Sequence, residues 1–457
     1  MSFADDIDQF GDATALITES GDDISYRQLV DLSDQLQNYL KSLPERQLIA
    51  IEFSVSSVHI AAYLAALRNK TPAILIDPAL TDSAKEAIYQ NYQVAAIVDA
   101  EGNWLPTGQH NQCRPDLALI VPTSGSTGAA KAVMLSLAQL HANARDICAF
   151  LPIESTSRAI SMLPFHYVYG LSVLNTHLFN GASLVLTSQP VMSALFWQQF
   201  KEHRVTSLSG VPMHFDIFRK MRLTSKLLPS LTYITQAGGK LSSATADYIK
   251  TLKKHFNVPV YLMYGQTEAT ARIAYLPPDK FESHHHCIGV AIPNGALFLR
   301  HCDNNQPIDL PDVEGELCYT GPNVMLGYAS TAADLSSATT LTELSTGDLA
   351  VRTKEGLFRI VGRLARFIKI HGKRLQLDSI EDTCRKHYAD TIVTGEDDKL
   401  FIALRQASDD DIKQLQQFVR AHFKLHPSLF EVVNVPEWPT LSNGKLDYIA
   451  LQAKFGQ

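Results

Sequence analysis

The first stretch of the sequence able to do chemistry is a run of glycine and hydroxyl residues at positions 123–128, with Lys131 three residues further on. The run follows an apolar stretch at 117–121 and precedes a helical pattern over Leu137–Cys148, an order typical of phosphate-binding loops. It is not a Walker loop, because Lys131 is followed by alanine rather than serine or threonine. Glycines let the backbone approach an anion, and hydroxyls add donors; the residues concerned are Thr123, Ser124, Gly125, Ser126, Thr127 and Gly128. The stretch therefore indicates a phosphate-binding loop, with a solvated loop as the alternative.

Composition narrows the class of protein. A chain of 457 residues exceeds what one hydrophobic core usually organises, so two or more domains are expected. The net charge is -7 and there is no basic tract, which argues against a nucleic-acid partner. No apolar run is long enough to span a membrane, and the N-terminus is acidic and lacks an apolar signal core. The six cysteines are scattered without a C-x-x-C pair, so the sequence predicts a cytoplasmic protein with reduced thiols.

The order of predicted elements indicates an α/β protein. Strands predicted at 48–53, Ala73–Ile76 and 94–98 alternate with helices at 58–67 and 84–92, as in a parallel sheet covered on both faces. Shorter runs with Gly, Pro and Asp turns begin after Pro293, and they suit an antiparallel or barrel-like subdomain. The tail carries a small α+β pattern, so we place a domain boundary near residues 362–366.

Five separated segments make the prediction more specific. They are the 123–128 loop, Ala237-Gly-Gly-Lys-Leu-Ser242, Tyr264-Gly-Gln-Thr-Glu268, Ser345-Thr-Gly-Asp348 with Gly362-Arg363 after it, and Ser442-Asn-Gly-Lys445. In this order they resemble the adenylate-forming superfamily of acyl-CoA synthetases, peptide-synthetase adenylation domains and luciferases, over nearly the whole chain. The resemblance implies a large N-terminal domain, residues 1–363, of stacked αβ subdomains with a small β-barrel-like subdomain. A small mobile α+β domain, residues 364–457, would follow.

The resemblance also implies roles for individual residues. Tyr264 would stack on adenine, Thr267 would meet the α-phosphate, and Glu268 would bind Mg²⁺. Asp348 would chelate the ribose diol, and Lys445 would be the mobile cation that joins the carboxylate substrate to the α-phosphate. The catalytic candidates are thus Lys445, Thr267 and Glu268. The ATP-binding candidates are Thr123, Ser124, Gly125, Ser126, Thr127, Gly128, Lys131, Gly238, Gly239, Lys240, Tyr264, Gly265, Gln266, Thr267, Asp348, Arg363 and Arg374.

The activity implied is an AMP-forming acid–thiol ligase that uses ATP and Mg²⁺. A carboxylate would attack the α-phosphorus of ATP, and a thiol would then take the acyl group and expel AMP. The leading acceptor is coenzyme A, and the alternative is the phosphopantetheine arm of an acyl or peptidyl carrier protein. A third reading, a nucleotide-binding regulator with dead catalysis, is disfavoured because Glu268 and Lys445 are both present.

Several positions depart from the superfamily's pattern. The phosphate loop has Ala130 and Ala132 around its lysine, and the hinge position holds Ala365 where Asp or Lys is usual. In the gate segment Tyr167 replaces the usual histidine; with Gly170 and Gly239 it is a candidate for the acyl pocket.

Two further stretches bear on ligands. Residues 164–172 hold no acid able to pair with an α-ammonium group, so we expect a small carboxylic acid without one, aryl or short to medium acyl. The run His284-His-His-Cys287 is more typical of a solvated loop than of a soft-metal site, because adjacent residues cannot all face one ion.

Overall fold

The computed structural model of the chain describes residues 2–122, 131–364, 366–370, 373–440 and 446–455. The chain divides into two compact units. The first comprises Met1–Ala296 and Tyr319–Leu344, and the second comprises Leu297–Cys318 and Ser345–Gln457. The boundary expected at 363/364 lies inside the second unit and stays a prediction, as does the mobility of the tail.

The helices of the described residues are short to medium in length. They are α1 (Phe3–Asp6), α2 (Tyr26–Leu40), α3 (Ser57–Arg68), α4 (Asp82–Tyr92), α5 (Leu137–Cys148), α6 (Val168–Phe179), α7 (Ala194–Glu202), α8 (Pro212–Lys220), α9 (Ser243–Phe256), α10 (Phe281–His284), α11 (Leu377–Arg385), α12 (Asp409–Phe423) and α13 (Tyr448–Gln452). Short 3-10 turns lie at Ile7–Phe10, Leu223–Ser225, Thr267–Ala269, Pro278–Lys280, Ala332–Ser336 and Pro427–Leu429. No helix in this part of the chain combines the length and apolar character that crossing a membrane requires.

The strands form several separate sheets. They are β1 (Thr14–Ile17), β2 (Asp23–Ser25), β3 (Ile49–Glu52), β4 (Ala73–Ile76), β5 (Ala96–Val98), β6 (Trp104–Pro106), β7 (Leu117–Pro122), β8 (Ala132–Ser136), β9 (Arg158–Ile160), β10 (Ser183–Val185), β11 (Ser207–Gly210), β12 (Tyr233–Gln236), β13 (Val260–Tyr264), β14 (Ala274–Leu276), β15 (Val290–Ala291), β16 (Ala296–Arg300), β17 (Pro307–Ile308), β18 (Glu314–Thr320), β19 (Gly327–Ala329), β20 (Glu343–Arg352), β21 (Phe358–Arg363), β22 (Phe367–Ile370), β23 (Lys373–Gln376), β24 (Thr391–Glu396), β25 (Lys399–Arg405) and β26 (Phe430–Val435).

The first unit is built on three sheets. The largest has the order β19-β8-β7-β4-β3-β5-β6, and its centre, β7 to β5, is parallel. Strands β3 and β4 are buried at every position, and α3 is buried from His59 to Leu67, as expected of elements enclosed on all sides. A second sheet has the order β11-β12-β13-β14-β15, and a third has the order β2-β1-β10-β9.

The second sheet positions the segments of greatest chemical interest. Strands β11, β12 and β13 run parallel, with Gly210 opposite Gln236 and Gln236 opposite Leu262. Their carboxyl ends therefore lie along one edge of the sheet, where open α/β sheets bind ligands. The segments that begin at Val211, Ala237 and Gly265 all leave the sheet from this edge.

The second unit is smaller and β-rich. It contains most of an open five-stranded sheet in the order β17-β16-β18-β20-β21, the hairpin of β22 and β23, and a three-stranded sheet of β24, β25 and β26. Helices α11 and α12 pack their apolar residues, including Ile380, Leu415 and Val419, against the last sheet. The α+β character predicted for the tail matches this arrangement.

The order of elements around the glycine-rich loop differs from the prediction. The sequence predicted a strand, the loop and then helix α5, but β8 lies between the loop and the helix. It pairs antiparallel with β7, with Pro122 opposite Ala132, so α5 follows β8 and is separated from residues 123–128 by that strand. The helix-first reading was wrong because the short apolar run 132–136 satisfies the pattern of a buried strand.

Candidate active site

The segment that begins at the end of β13 holds five of the residues predicted to act on ATP or its metal, Tyr264 to Glu268. Tyr264 ends the strand, and Thr267–Ala269 forms a 3-10 turn that leaves Glu268 half-buried. The amide of Gln266 donates to the Tyr264 hydroxyl at 3.1 Å. Gly265 is required by the close return of the chain, since a Cβ there would lie 1.8 Å from the carbonyl oxygen of Ala271. The phenol, hydroxyl and carboxylate of this segment therefore occupy one tight loop.

The rest of this loop is held in a strained but well-supported conformation. Thr270 has a φ of 66°, which is unusual for a β-branched residue. The fully buried amide of Asn323 donates to the carbonyl oxygens of Ala269 and Arg272 at 2.8 and 2.9 Å. It also accepts from the hydroxyl of Tyr319 at 2.8 Å. These contacts fix the backbone between Glu268 and Arg272.

Glu268 is connected to Lys131 through a residue that the sequence did not single out. The hydroxyl of Tyr328 donates to the Glu268 carboxylate at 2.9 Å, and the Lys131 ammonium lies 5.8 Å from the centre of the Tyr328 ring. Burial and the neighbouring Glu268 carboxylate raise the pKa of Tyr328, which keeps the phenol protonated as a donor. Strand β19 brings it there by pairing Tyr328 with Val133 of β8. Only this long-range pairing identifies Tyr328, so no local pattern could have done so.

Tyr328 yields a prediction that concerns the metal-binding candidate. We expect Tyr328→Phe to raise the Mg²⁺ concentration needed for half-maximal activity by roughly tenfold, because an oriented carboxylate loses its donor. A Mg²⁺ titration of ATP-dependent turnover measures this shift. Tyr39→Phe, at an exposed tyrosine of α2, is the matched control and should behave as the unmodified protein. An unchanged Mg²⁺ requirement in Tyr328→Phe would show that the Glu268 contact has no part in metal binding.

The second predicted segment, Ala237 to Ser242, follows β12 at the same sheet edge. Gly238 has a φ of 84°, and the side chain of Gln236 donates to the carbonyl oxygens of Ala237 and Gly239 at 3.1 and 3.0 Å. This buried glutamine holds the glycine turn in place, while Lys240 is exposed. The turn thus leaves the sheet at the end of β12, the strand that pairs with β13.

Within the second unit, Asp348 and Arg363 are brought together as directly opposed residues of β20 and β21. The Arg363 Nε lies 3.0 Å from a carboxylate oxygen of Asp348, which is 4% exposed. The backbone N–H of Asp348 donates to the Thr346 hydroxyl at 3.1 Å. The role implied for Asp348, chelation of a ribose diol, stays a prediction.

Several other predicted residues lie beside or outside the part of the chain that the structure describes. Arg374 lies on β23 opposite Lys369. Residues 123–128, Ala365 and Lys445 lie outside the described residues. The residues on either side of 441–445 are described: Thr440 and Leu446 form an antiparallel bridge. The assignments of these residues stay predictions.

Arg366, the residue after the predicted hinge, lies at the centre of a partly buried network. Its guanidinium donates to the carboxylates of Asp378 and Glu381 and, at 3.0 Å, to the hydroxyl of Tyr448 in α13. The same guanidinium lies over the Tyr448 ring at 4.7 Å. The first residues after position 365 are thereby tied to the helix that begins three residues after Lys445.

The acyl-pocket candidates have different surroundings. Tyr167 caps the start of α6 and is half-buried, with its ring 4.6 Å from that of His166. Gly170 allows α6 to pack closely, since a Cβ there would lie 2.2 Å from the carbonyl oxygen of Pro164. His166 lies 3.6 Å from the Asp77 carboxylate, and burial lowers its pKa.

With this geometry established, comparison with known proteins identifies the family. A family model described as AMP-binding enzyme matches residues 99–329, just over half of the chain. The chain belongs to the AMP-binding enzyme family. This membership confirms the resemblance to the adenylate-forming superfamily that the five segments indicated.

Relatives of this AMP-binding enzyme include ligases of several kinds. Acyl-CoA synthetase ALT10 of Alternaria alternata is 29% identical over 74% of this chain and 65% of its own length. Oxalate–CoA ligase of Saccharomyces cerevisiae is 24% identical over 82% of this chain and 69% of its own length. Long-chain-fatty-acid–CoA ligase of Salmonella typhimurium is 28% identical over 72% of this chain and 60% of its own length. The matched part thus spans 60% to 69% of these relatives.

Solved structures establish the fold of the whole chain. The o-succinylbenzoate CoA synthetase of Bacillus subtilis, bound to its acyl-adenylate, has a TM-score of 0.80 at 19% identity and covers 99% of this chain and 98% of that one. ATP-bound MatB from Rhodopseudomonas palustris has a TM-score of 0.79 at 19% identity, with 99% of each chain covered. The predicted α/β fold class, with a large N-terminal and a small C-terminal domain, is confirmed.

The residues of this AMP-binding enzyme suit a metal that arrives with its nucleotide. The described residues hold no group of three or more His, Cys, Asp or Glu side chains placed to bind an ion. Mg²⁺ is commonly bound by one or two carboxylates together with substrate phosphates, so the single carboxylate of Glu268 fits it. In the histidine run, His284 is the last residue of α10, and Cys287, which follows the helix, is buried.

Proposed function

We propose that this AMP-binding enzyme is an AMP-forming ligase that activates a small carboxylic acid and transfers it to coenzyme A. The observation that carries the proposal is that Tyr328 contacts both charged candidates: its hydroxyl donates to Glu268 of the Tyr264 loop, and the Lys131 ammonium lies over its ring. It combines a cation, a hard-metal ligand and an aromatic ring near one sheet edge. The relatives named above as CoA ligases support coenzyme A as acceptor.

In the first half-reaction a carboxylate oxygen forms a bond to the α-phosphorus of ATP, and the bond to the β-phosphate breaks. The products are an acyl-adenylate and pyrophosphate. Because both reactants are anions, the protein must offset their repulsion with Lys131 and Lys445, while Thr267 donates to the α-phosphate. Mg²⁺ bound at Glu268 would add positive charge at the phosphates.

In the second half-reaction the sulfur of coenzyme A attacks the acyl carbonyl carbon. The thiol loses its proton, the bond from carbonyl carbon to phosphate oxygen breaks, and AMP leaves. Asp348 would hold the ribose of the adenylate through both steps. Rotation at Ala365 would remove Lys445 between them, and this step is proposed from the superfamily resemblance.

Pyrophosphate release with a panel of carboxylic acids tests the proposal. Release should depend on the acid, and a thioester should accumulate when coenzyme A is added. If the thioester forms only on a carrier protein bearing phosphopantetheine, the acceptor is that carrier protein and not coenzyme A, while the proposed adenylation step stands. No pyrophosphate release with any acid would overturn the proposed function.

A further inference from the structure

Three surface segments of the first unit meet around Trp197, a buried residue of α7. Its indole N–H donates to the carbonyl oxygen of Val191 at 2.8 Å. Its ring lies 5.6 Å from the ring of Phe218 in α8, and the Lys226 ammonium lies 5.6 Å from its centre. These contacts bring the chain neighbours of Val191, Phe218 and Lys226 to one surface. We call it the Trp197 patch, and its members are Met192, Leu195, Lys220, Arg222, Lys226 and Leu227.

The apolar members of the Trp197 patch project into solvent. Leu227 is 80% exposed, Met192 is 68% exposed and Leu195 is 53% exposed, which is unusual for large apolar side chains. Met192 and Leu195 lie just before and at the start of α7, and Leu227 follows the 3-10 turn Leu223–Ser225. Side chains that project singly from helix ends and loops offer little shaped area to a protein partner, but each can insert into a lipid interface.

The other members of the Trp197 patch are cations. Residues 192–227 hold six Lys or Arg and two Asp or Glu, although the whole chain has a net charge of -7. Arg219 pairs with Asp216 at 3.8 Å, whereas within the described residues Lys220, Arg222 and Lys226 form no ion pair with an acidic side chain. Because exposed charges are screened within about 10 Å, a partner at this surface meets the local positive charge and not the net negative charge.

Helix α9 holds the basic part of the patch in place. The hydroxyl of Tyr248 donates to the carbonyl oxygen of Phe218 at 2.8 Å and accepts from the N–H of Leu223 at 3.2 Å. The hydroxyl of Thr245 in the same helix donates to the Asp216 carboxylate at 2.7 Å. Helix α8 and the 3-10 turn after it are thereby tied to α9. The cations and the projecting apolar side chains therefore belong to one fixed surface.

We propose that the Trp197 patch binds the surface of an anionic lipid bilayer. The cations Lys220, Arg222 and Lys226 contact lipid phosphates, and the three apolar side chains enter the boundary between head groups and acyl chains. The combination of unpaired positive charge with singly projecting apolar side chains carries the inference. It goes beyond the proposed ligase function and does not depend on it, because no member of the patch belongs to the candidate active site.

Co-sedimentation of the unmodified protein with vesicles tests the inference. One set of vesicles contains phosphatidylcholine and phosphatidylglycerol in equal parts, and the other contains phosphatidylcholine alone. We expect the affinity for the anionic vesicles to be higher by roughly tenfold or more, and added salt should weaken it because exposed charges are screened. Equal affinity for both sets, or no binding to either, would overturn the inference. Salt-sensitive binding to an acidic carrier protein in place of vesicles would assign the patch to a protein partner and would also overturn it.

Two variants separate the two kinds of contact. Lys220→Gln combined with Arg222→Gln should lower the affinity for anionic vesicles by roughly tenfold or more, because two charges that face the lipid phosphates are lost. Leu227→Ser should lower the same affinity severalfold and leave its salt dependence in place, because it removes apolar contact and no charge. All of these residues are at the surface, so the thermal unfolding midpoint should stay that of the unmodified protein.

Matched controls come from exposed residues of the second unit. Lys413→Gln combined with Arg420→Gln removes two cations of α12, and Leu310→Ser removes an apolar side chain that is 69% exposed. Both controls should bind anionic vesicles like the unmodified protein. Losses of the same size in the controls and in the patch variants would show that binding follows overall charge or apolar content, which would contradict the assignment to the Trp197 patch.

Discussion

Lys445→Ala should slow acyl-adenylate formation by about a hundredfold to a thousandfold, while thioester formation from supplied acyl-adenylate continues. The reason is the charge that the first half-reaction brings together, a carboxylate and a triphosphate. A cation at the α-phosphate offsets this repulsion, whereas attack of a thiol on a neutral carbonyl does not need it. The place of Lys445 in Ser442-Asn-Gly-Lys445 assigns it this role by resemblance.

The two half-reactions are measured separately for Lys445→Ala. Pyrophosphate release reports the first, and AMP release from a supplied acyl-adenylate with coenzyme A reports the second. Lys454→Ala removes an exposed lysine of the same C-terminal segment and should leave both unchanged. A loss of similar size in both half-reactions would assign Lys445 a structural role and remove the basis for a two-conformation mechanism.

Glu268→Gln should lower ATP-dependent turnover by roughly a hundredfold, and added Mg²⁺ should restore part of the loss. Glutamine retains the shape and can still accept from the Tyr328 hydroxyl, so the change removes little except the charge. A hard divalent cation depends on that charge.

The control for Glu268→Gln is a glutamate outside the candidate site. Glu282→Gln removes an exposed glutamate of α10 that pairs with Lys253, and it should leave the Mg²⁺ dependence unchanged. Glu268→Gln with the same turnover as the unmodified protein throughout a Mg²⁺ titration would exclude Glu268 as the ligand.

The sequence predicted the regular elements of the first unit well. Helix α5 and strand β4 have the bounds that the sequence pattern indicated, because each has a clear apolar pattern and a local signal at its end. Ser25 and Ser136, for example, accept hydrogen bonds from the N–H groups of Gln28 and Gln139 at the starts of their helices. Strand β8 was missed because its run of five residues is too short for periodicity to separate strand from loop.

The candidate site was only partly predictable. The nucleotide-binding segments were found because their residue types lie close together along the chain, as in Tyr264 to Glu268. Tyr328 was not, because its significance depends on strand pairing. It reaches Glu268 through the pairing of β19 with β8.

The network around Arg366 has a mechanical consequence. Arg366 lies immediately after the predicted pivot at residue 365, and its bonds to Tyr448 clamp that point to the helix beyond Lys445. A rotation of the backbone at residue 365 would be transmitted to helix α13 through this contact. Rotation at the predicted pivot would therefore move Arg366, Tyr448 and helix α13 together. Tyr448→Ala would remove this connection while keeping Lys445 in the chain.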